Sequence, residues 1–97
     1  MIEVTELNVG GRKAMGVRID MPGSPPLLLA RGDKGVLFCG YLSAEAAEKF
    51  SLAAAVVRGV GSIEELLDGK VFYCTKKGEE LGARVGMSGR DAMNIFL

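Results

Sequence analysis

Apolar and polar residues alternate most clearly at Met15, Val17, Ile19 and Met21, which are interleaved with Gly16, Arg18 and Asp20. A period of two predicts an antiparallel strand with apolar side chains on one face and polar ones on the other. Ile2-Glu3-Val4-Thr5-Glu6-Leu7 reads as a weaker strand before it, and Gly10-Gly11 supplies the positive φ that a hairpin turn needs. Pro22-Gly23-Ser24-Pro25-Pro26 is expected to stop the ladder, since proline has no N–H to donate. Leu27-Leu28-Leu29-Ala30 and Val36-Leu37-Phe38-Cys39 are continuous apolar runs around a hairpin loop, Arg31-Gly32-Asp33-Lys34-Gly35. Such runs predict strands covered on both sides.

The second half changes period. Ser43 is an N-cap for a helix from Ala44 to about Leu52, and Ala55 to Val60 reads as a buried strand. Ser62-Ile63-Glu64-Glu65 is a capping box, in which the Ser hydroxyl takes the third helical N–H and the Glu reaches back. The helix it opens runs through Leu67 and ends at Asp68-Gly69. Lys70 to Thr75 reads as a strand, Glu79-Glu80-Leu81 as a brief helix closed by Gly82, and Ser88 as the cap of a final helix. The fold class is therefore α+β: one domain over residues 1–97, with an N-terminal antiparallel β-meander (1–42) followed by alternating short helices and strands (43–97).

Composition adds one point about size. Apolar residues make up 48% of a chain of 97, more than so small an interior absorbs, so part of the surplus is expected in a subunit interface. The face bearing Met15, Val17, Ile19 and Met21 covers either the domain's own core or a copy of itself, and methionine adapts to both. Twelve basic residues balance 12 acidic ones, without the basic excess that nucleic-acid binding uses. No run of 18 apolar residues predicts a membrane span, and the start Met1-Ile2-Glu3-Val4 is not that of a signal peptide. Cys39 and Cys74, without an export signal, read as reduced thiols in a cytoplasmic protein.

Candidate chemistry is sparse. With no histidine, Ser-His-Asp and Cys-His catalysis, HExxH metal sites and histidine pH switches are excluded. Two cysteines cannot complete a zinc site within one chain, and no metal or other cofactor is expected. Three positions still draw attention. Gly86-Met87-Ser88-Gly89-Arg90 enters a helix through a glycine-flanked turn, so Ser88, Gly89 and Arg90 form a candidate site for a small anionic ligand, weighed against an ordinary cap. Cys39, where a buried strand leaves the sheet, is a candidate nucleophile or redox thiol, weighed against a small buried apolar residue. Gly59 and Gly61 let a backbone approach a ligand closely, weighed against a strand-to-helix turn.

Phe38-Cys39-Gly40-Tyr41-Leu42, Val57 through Asp68, and Leu81 through Ala92 resemble the motifs of the YunC-like family, a small bacterial and archaeal domain of unknown function. The resemblance spans nearly the whole chain, and Val85-Gly86-Met87-Ser88-Gly89-Arg90 is its most specific piece. It implies an α+β domain whose N-terminal β region drives tetramer formation, and it supplies no catalytic residue. Where the family has a charged, glycine-containing turn after the first helix, this chain has Phe50-Ser51-Leu52-Ala53. The leading reading is a non-catalytic homo-oligomer, a tetramer by resemblance, that binds a small anion. The alternatives are a small enzyme using Cys39 and a purely structural scaffold.

Overall fold

Alternation in the first half of the chain produces three long strands, β1 (Ile2–Val9), β2 (Arg12–Met21) and β3 (Ser24–Arg31). Both connections are tight. Gly10 and Gly11 have φ of 58° and 80°, the paired positive values of a type I′ hairpin. Pro22-Gly23 makes the second turn, with Gly23 at φ 62°. The expected break over Pro22–Pro26 is thus narrower than the prolines suggest, because β3 begins at Ser24 and contains Pro25 and Pro26. Two features tolerate them. The β2–β3 register shifts between Ile19 and Met21, and β4 pairs β3 only from Leu29 to Arg31.

The computed structural model describes residues 2–97 and is α+β, with strands in the order β1-β2-β3-β4-β5-β6. The remaining strands are shorter than the apolar runs predict: β4 (Val36–Phe38), β5 (Ala54–Val56) and β6 (Tyr73–Cys74). All neighbours are antiparallel except β4 and β5, which run parallel across the first helix, α1 (Ala44–Lys49). The others are α2 (Ile63–Asp68), α3 (Lys76–Leu81) and α4 (Gly89–Phe96). Each is capped by a hydroxyl: Ser43, Ser62, Thr75 and Ser88 accept from Ala46, Glu65, Gly78 and Asp91 N–H.

Register assigns the two sheet faces. Leu7 opposes Ala14, and Leu28 opposes Arg18 on β2, so one face carries Leu7, Val9, Ala14, Gly16, Leu28, Ala30 and Leu37. Helices α2 and α4 cover it, and Leu66, Leu67, Met93 and Phe96 complete the main core. The opposite face carries the row Val4, Val17, Leu29, Phe38 and Val56, paired residue to residue across five strands. Helix α1 covers only its β4–β5 end, where Phe38, Ala47, Ala54 and Val56 form a smaller core. The face with Met15, Val17 and Ile19 therefore does not cover the domain's own core. Val4 is 62% exposed and Met15 44%, whereas Ala14 on the other face is 7% exposed.

Two local arrangements hold the second half together. Helix α1 stops three residues earlier than expected in a Schellman turn, where Ser51 N–H donates to Glu48 O at 3.1 Å and Leu52 N–H to Ala47 O at 2.9 Å. Ser51 takes the left-handed position of that turn at φ 55°, the only non-glycine among the described residues with positive φ. Thr75 is a fully buried hub. Its hydroxyl donates to Leu52 O at 2.7 Å and accepts from Ala54 N–H at 2.9 Å and Gly78 N–H at 3.1 Å.

An L residue in the left-handed region costs about 1 kcal/mol relative to glycine. Ser51→Gly is therefore expected to stabilise the fold by roughly 0.5–1 kcal/mol, read as a higher denaturant midpoint with an unchanged slope. A neutral or destabilising result would contradict this account of the turn.

Candidate functional site

The parallel pairing of β4 with β5 brings two sequence-distant turns together. Cys39-Gly40-Tyr41 leaves the end of β4, and Gly59-Val60-Gly61 follows β5 into α2. With Pro25 and Pro26 from the start of β3, they line an open cleft of about 420 Å³. Tyr41 closes the frame by donating its hydroxyl to Pro25 O at 2.7 Å. Gly59 has φ +71°, so the turn requires glycine there. Gly61 N–H donates to Glu65 Oε1 at 2.7 Å, so the capping glutamate reaches one residue beyond the Ser62 cap. Arg58 lies beside the cleft, with its guanidinium carbon 3.3 Å from the Phe72 ring centroid.

Cys39 borders this cleft but its thiol is part of the sheet. The residue is 4% exposed, and Sγ accepts Leu28 N–H at 3.3 Å while Cys39 N–H donates to Leu28 O at 3.1 Å. The sulfur thus extends the β3–β4 ladder by one bond. Cys74 is also buried, and burial first, then Glu79, pushes its thiol above the ordinary range. Neither thiol has the exposed, electropositive setting of a reactive cysteine.

Ser88, Gly89 and Arg90 do not line the cleft, and each has an internal partner. Ser88 Oγ accepts Asp91 N–H at 3.0 Å, Gly89 N–H donates to Gly69 O at 2.8 Å, and Arg90 Nη2 pairs with Asp68 Oδ1 at 3.2 Å. A Cβ at Gly89 would collide with Leu66 O, so this glycine permits the close approach of α4 to the end of α2. The anionic groups such a turn attracts are already supplied by the chain's own Asp68 and Asp91.

A second polar cluster, unmarked in the sequence, lies beside the edge strand β6. Glu48 on α1 accepts the Tyr73 hydroxyl at 2.6 Å and the Lys76 N–H, in the first turn of α3, at 2.9 Å. The Tyr73 bond is the main reason the Glu48 carboxyl sits below its usual range, and the same bond raises the Tyr73 phenol. Among the described residues no group of three or more His, Cys, Asp or Glu side chains is placed to hold a metal ion. No helix among them is long and apolar enough to cross a membrane.

These features define a small α+β domain with a cleft where the loops after β4 and β5 meet. The chain belongs to the family described as domain of unknown function DUF1805, whose model matches residues 38–95, from β4 to the last turn of α4. The uncharacterized protein YunC of Bacillus subtilis (strain 168) is 31% identical, over 96% of this chain and 95% of its own. The crystal structure of a protein of unknown function, TA1206 from Thermoplasma acidophilum, superposes with a TM-score of 0.93 at 28% identity, covering all of this chain and 94% of that one.

The Glu48 latch has a pH signature. A depressed carboxyl contributes stability above the ordinary carboxylate range and loses it as pH falls through that range toward the folded value. Glu48→Gln should lower the melting temperature at about pH 7, and the difference from the wild type should shrink as pH falls below the ordinary carboxylate range. A difference that does not change with pH would contradict the latch.

Proposed function

We propose that the protein is a non-catalytic, self-associating domain whose copies meet through the uncovered face of β1, β2 and β3. The observation that carries this reading is the apolar pair Val4 and Val17, flanked by Met15 and Ile19, on the β1–β2 part of a face that helix α1 covers only at its β4–β5 end. A contiguous exposed apolar surface of this kind is typical of an interface. Each half-exposed side chain on it gains on the order of 1 kcal/mol when fully covered. A charged pair on the same face, Lys13 with Glu6 at 3.6 Å, lies at the edge of the patch, as polar rims do around interface cores. By resemblance the assembly is a homotetramer. The cytoplasm is the proposed compartment, since both cysteines are free and buried, a state that a reducing compartment maintains.

The non-catalytic part rests on the absence of histidine and on the two thiols, which are enclosed and, for Cys39, hydrogen-bonded. The Ser88–Arg90 turn is left out of the proposal because its donors have partners within the fold.

Val17→Glu places a charge at the centre of the proposed interface, where burial without a partner costs several kcal/mol. Sedimentation velocity at micromolar concentration is expected to give an oligomer for the wild type and a monomer with native circular dichroism for the variant. A monomeric wild type, or an oligomer that Val17→Glu leaves intact, would overturn the reading.

A further inference from the structure

We propose that the cleft between Pro25-Pro26, Tyr41 and the Gly59–Gly61 turn binds a small organic carboxylate with a flat apolar body.

The cleft sits at the C-terminal ends of β4 and β5, the only parallel pair in the sheet. The loops that leave two parallel strands at the same end open a crevice there, and ligands of α/β sheets favour such positions. At about 420 Å³ the space suits a small molecule. Its walls come from three chain segments, and the Tyr41–Pro25 hydrogen bond fixes two of them to each other. The site is therefore largely preformed, which limits the ordering cost of binding.

At two of its glycines the fold does not require glycine. Neither Gly40 nor Gly61 has positive φ, unlike Gly59. A Cβ at Gly40 would meet nothing closer than Arg58 Cγ at 3.7 Å, and one at Gly61 nothing closer than Glu65 Oε1 at 3.6 Å. Both are ordinary contact distances, so alanine fits either place. Gly32, Gly35, Gly69, Gly78 and Gly89 differ, because each is pressed against backbone or a core side chain. Glycine at 40 and 61 costs conformational entropy and leaves the cleft floor open, with its backbone within reach of a ligand.

The polar character of the opening selects the ligand. Gly40, Tyr41, Gly59 and Val60 N–H have no acceptor among the described residues. Gly61 N–H, in the same turn, already donates to a carboxylate, that of Glu65 at 2.7 Å. No acidic side chain lines the space. Arg58, whose stem passes beside Gly40, stacks on Phe72 and has no carboxylate partner among the described residues. Unused N–H donors, with the positive charge of Arg58 beside the cleft, complement a carboxylate. Pro25, Pro26, Tyr41 and Val60 supply apolar surface for a flat body.

Benzoate and its neutral isostere benzamide separate charge from shape. Titrated into the full-length protein and followed by amide ¹H–¹⁵N shifts, benzoate is expected to move Gly40, Tyr41, Gly59 and Val60 saturably. Benzamide should bind roughly tenfold more weakly, because it lacks the charge that strengthens N–H donation. The double variant Gly40→Val, Gly61→Val is expected to melt like the wild type and to lose these shifts. If that variant melts early, Arg58→Met decides: it should weaken benzoate and leave benzamide unchanged. The proposal is overturned if benzoate gives no saturable shift, if benzamide binds equally well, or if a folded double variant or Arg58→Met binds benzoate like the wild type.

Discussion

The structure depends on one constraint: four helices of six to eight residues cannot cover both faces of a six-stranded sheet. The order of events along the chain decides which part stays bare. Strands β1, β2 and β3 are joined by tight turns at Gly10-Gly11 and Pro22-Gly23, which leave no segment to lie over either face. Helices enter only after β4. Helix α1 crosses between the parallel strands β4 and β5, so it covers that end of one face and no more. Helix α4 returns across the other face as far as β1 and, with α2, seals the main core. The remaining face of the meander has apolar residues and no cover within the chain, and the proposed self-association rests on that imbalance.

The covered half is held by short polar contacts. Strands β5 and β6 have only three and two residues, too few for a ladder alone to fix them. Thr75 compensates by joining the end of the α1 loop, β5 and the first turn of α3 through one buried hydroxyl. Glu48 repeats the link from the solvent side, tying α1 to Tyr73 and Lys76. The parallel β4–β5 pair thus held also sets the position of the Cys39–Tyr41 and Gly59–Gly61 turns, and with them the cleft.

Local chemistry in the sequence carries much of this. Period-two alternation marks β2, Gly10-Gly11 marks the first hairpin, and hydroxyl caps mark the starts of α1, α2 and α4. The sidedness of β2 is harder to read, because the covered face carries Ala14 and Gly16, small residues that leave room for Leu7, while the larger apolar side chains face outward. A pattern of large apolar residues cannot tell its own core from a partner's. The site is legible in fragments. Cys39, Gly59 and Gly61 stand out as residues, but their meeting depends on a parallel crossover that no local signal marks, and Pro25 and Tyr41 join through a single long-range hydrogen bond. Gly86 through Arg90 has the look of an anion site because close helix packing and a self-satisfied cap use the same residue types.

Solvent paramagnetic relaxation of methyl protons in the full-length protein tests most directly whether a second copy covers the meander. If it does, the Val4 and Val17 methyls are shielded from a soluble relaxation agent as strongly as those of Leu28 and Leu37 in the core. Relaxation of Val4 and Val17 at the rate of the exposed Val85 methyls would show the face open to water and contradict the account.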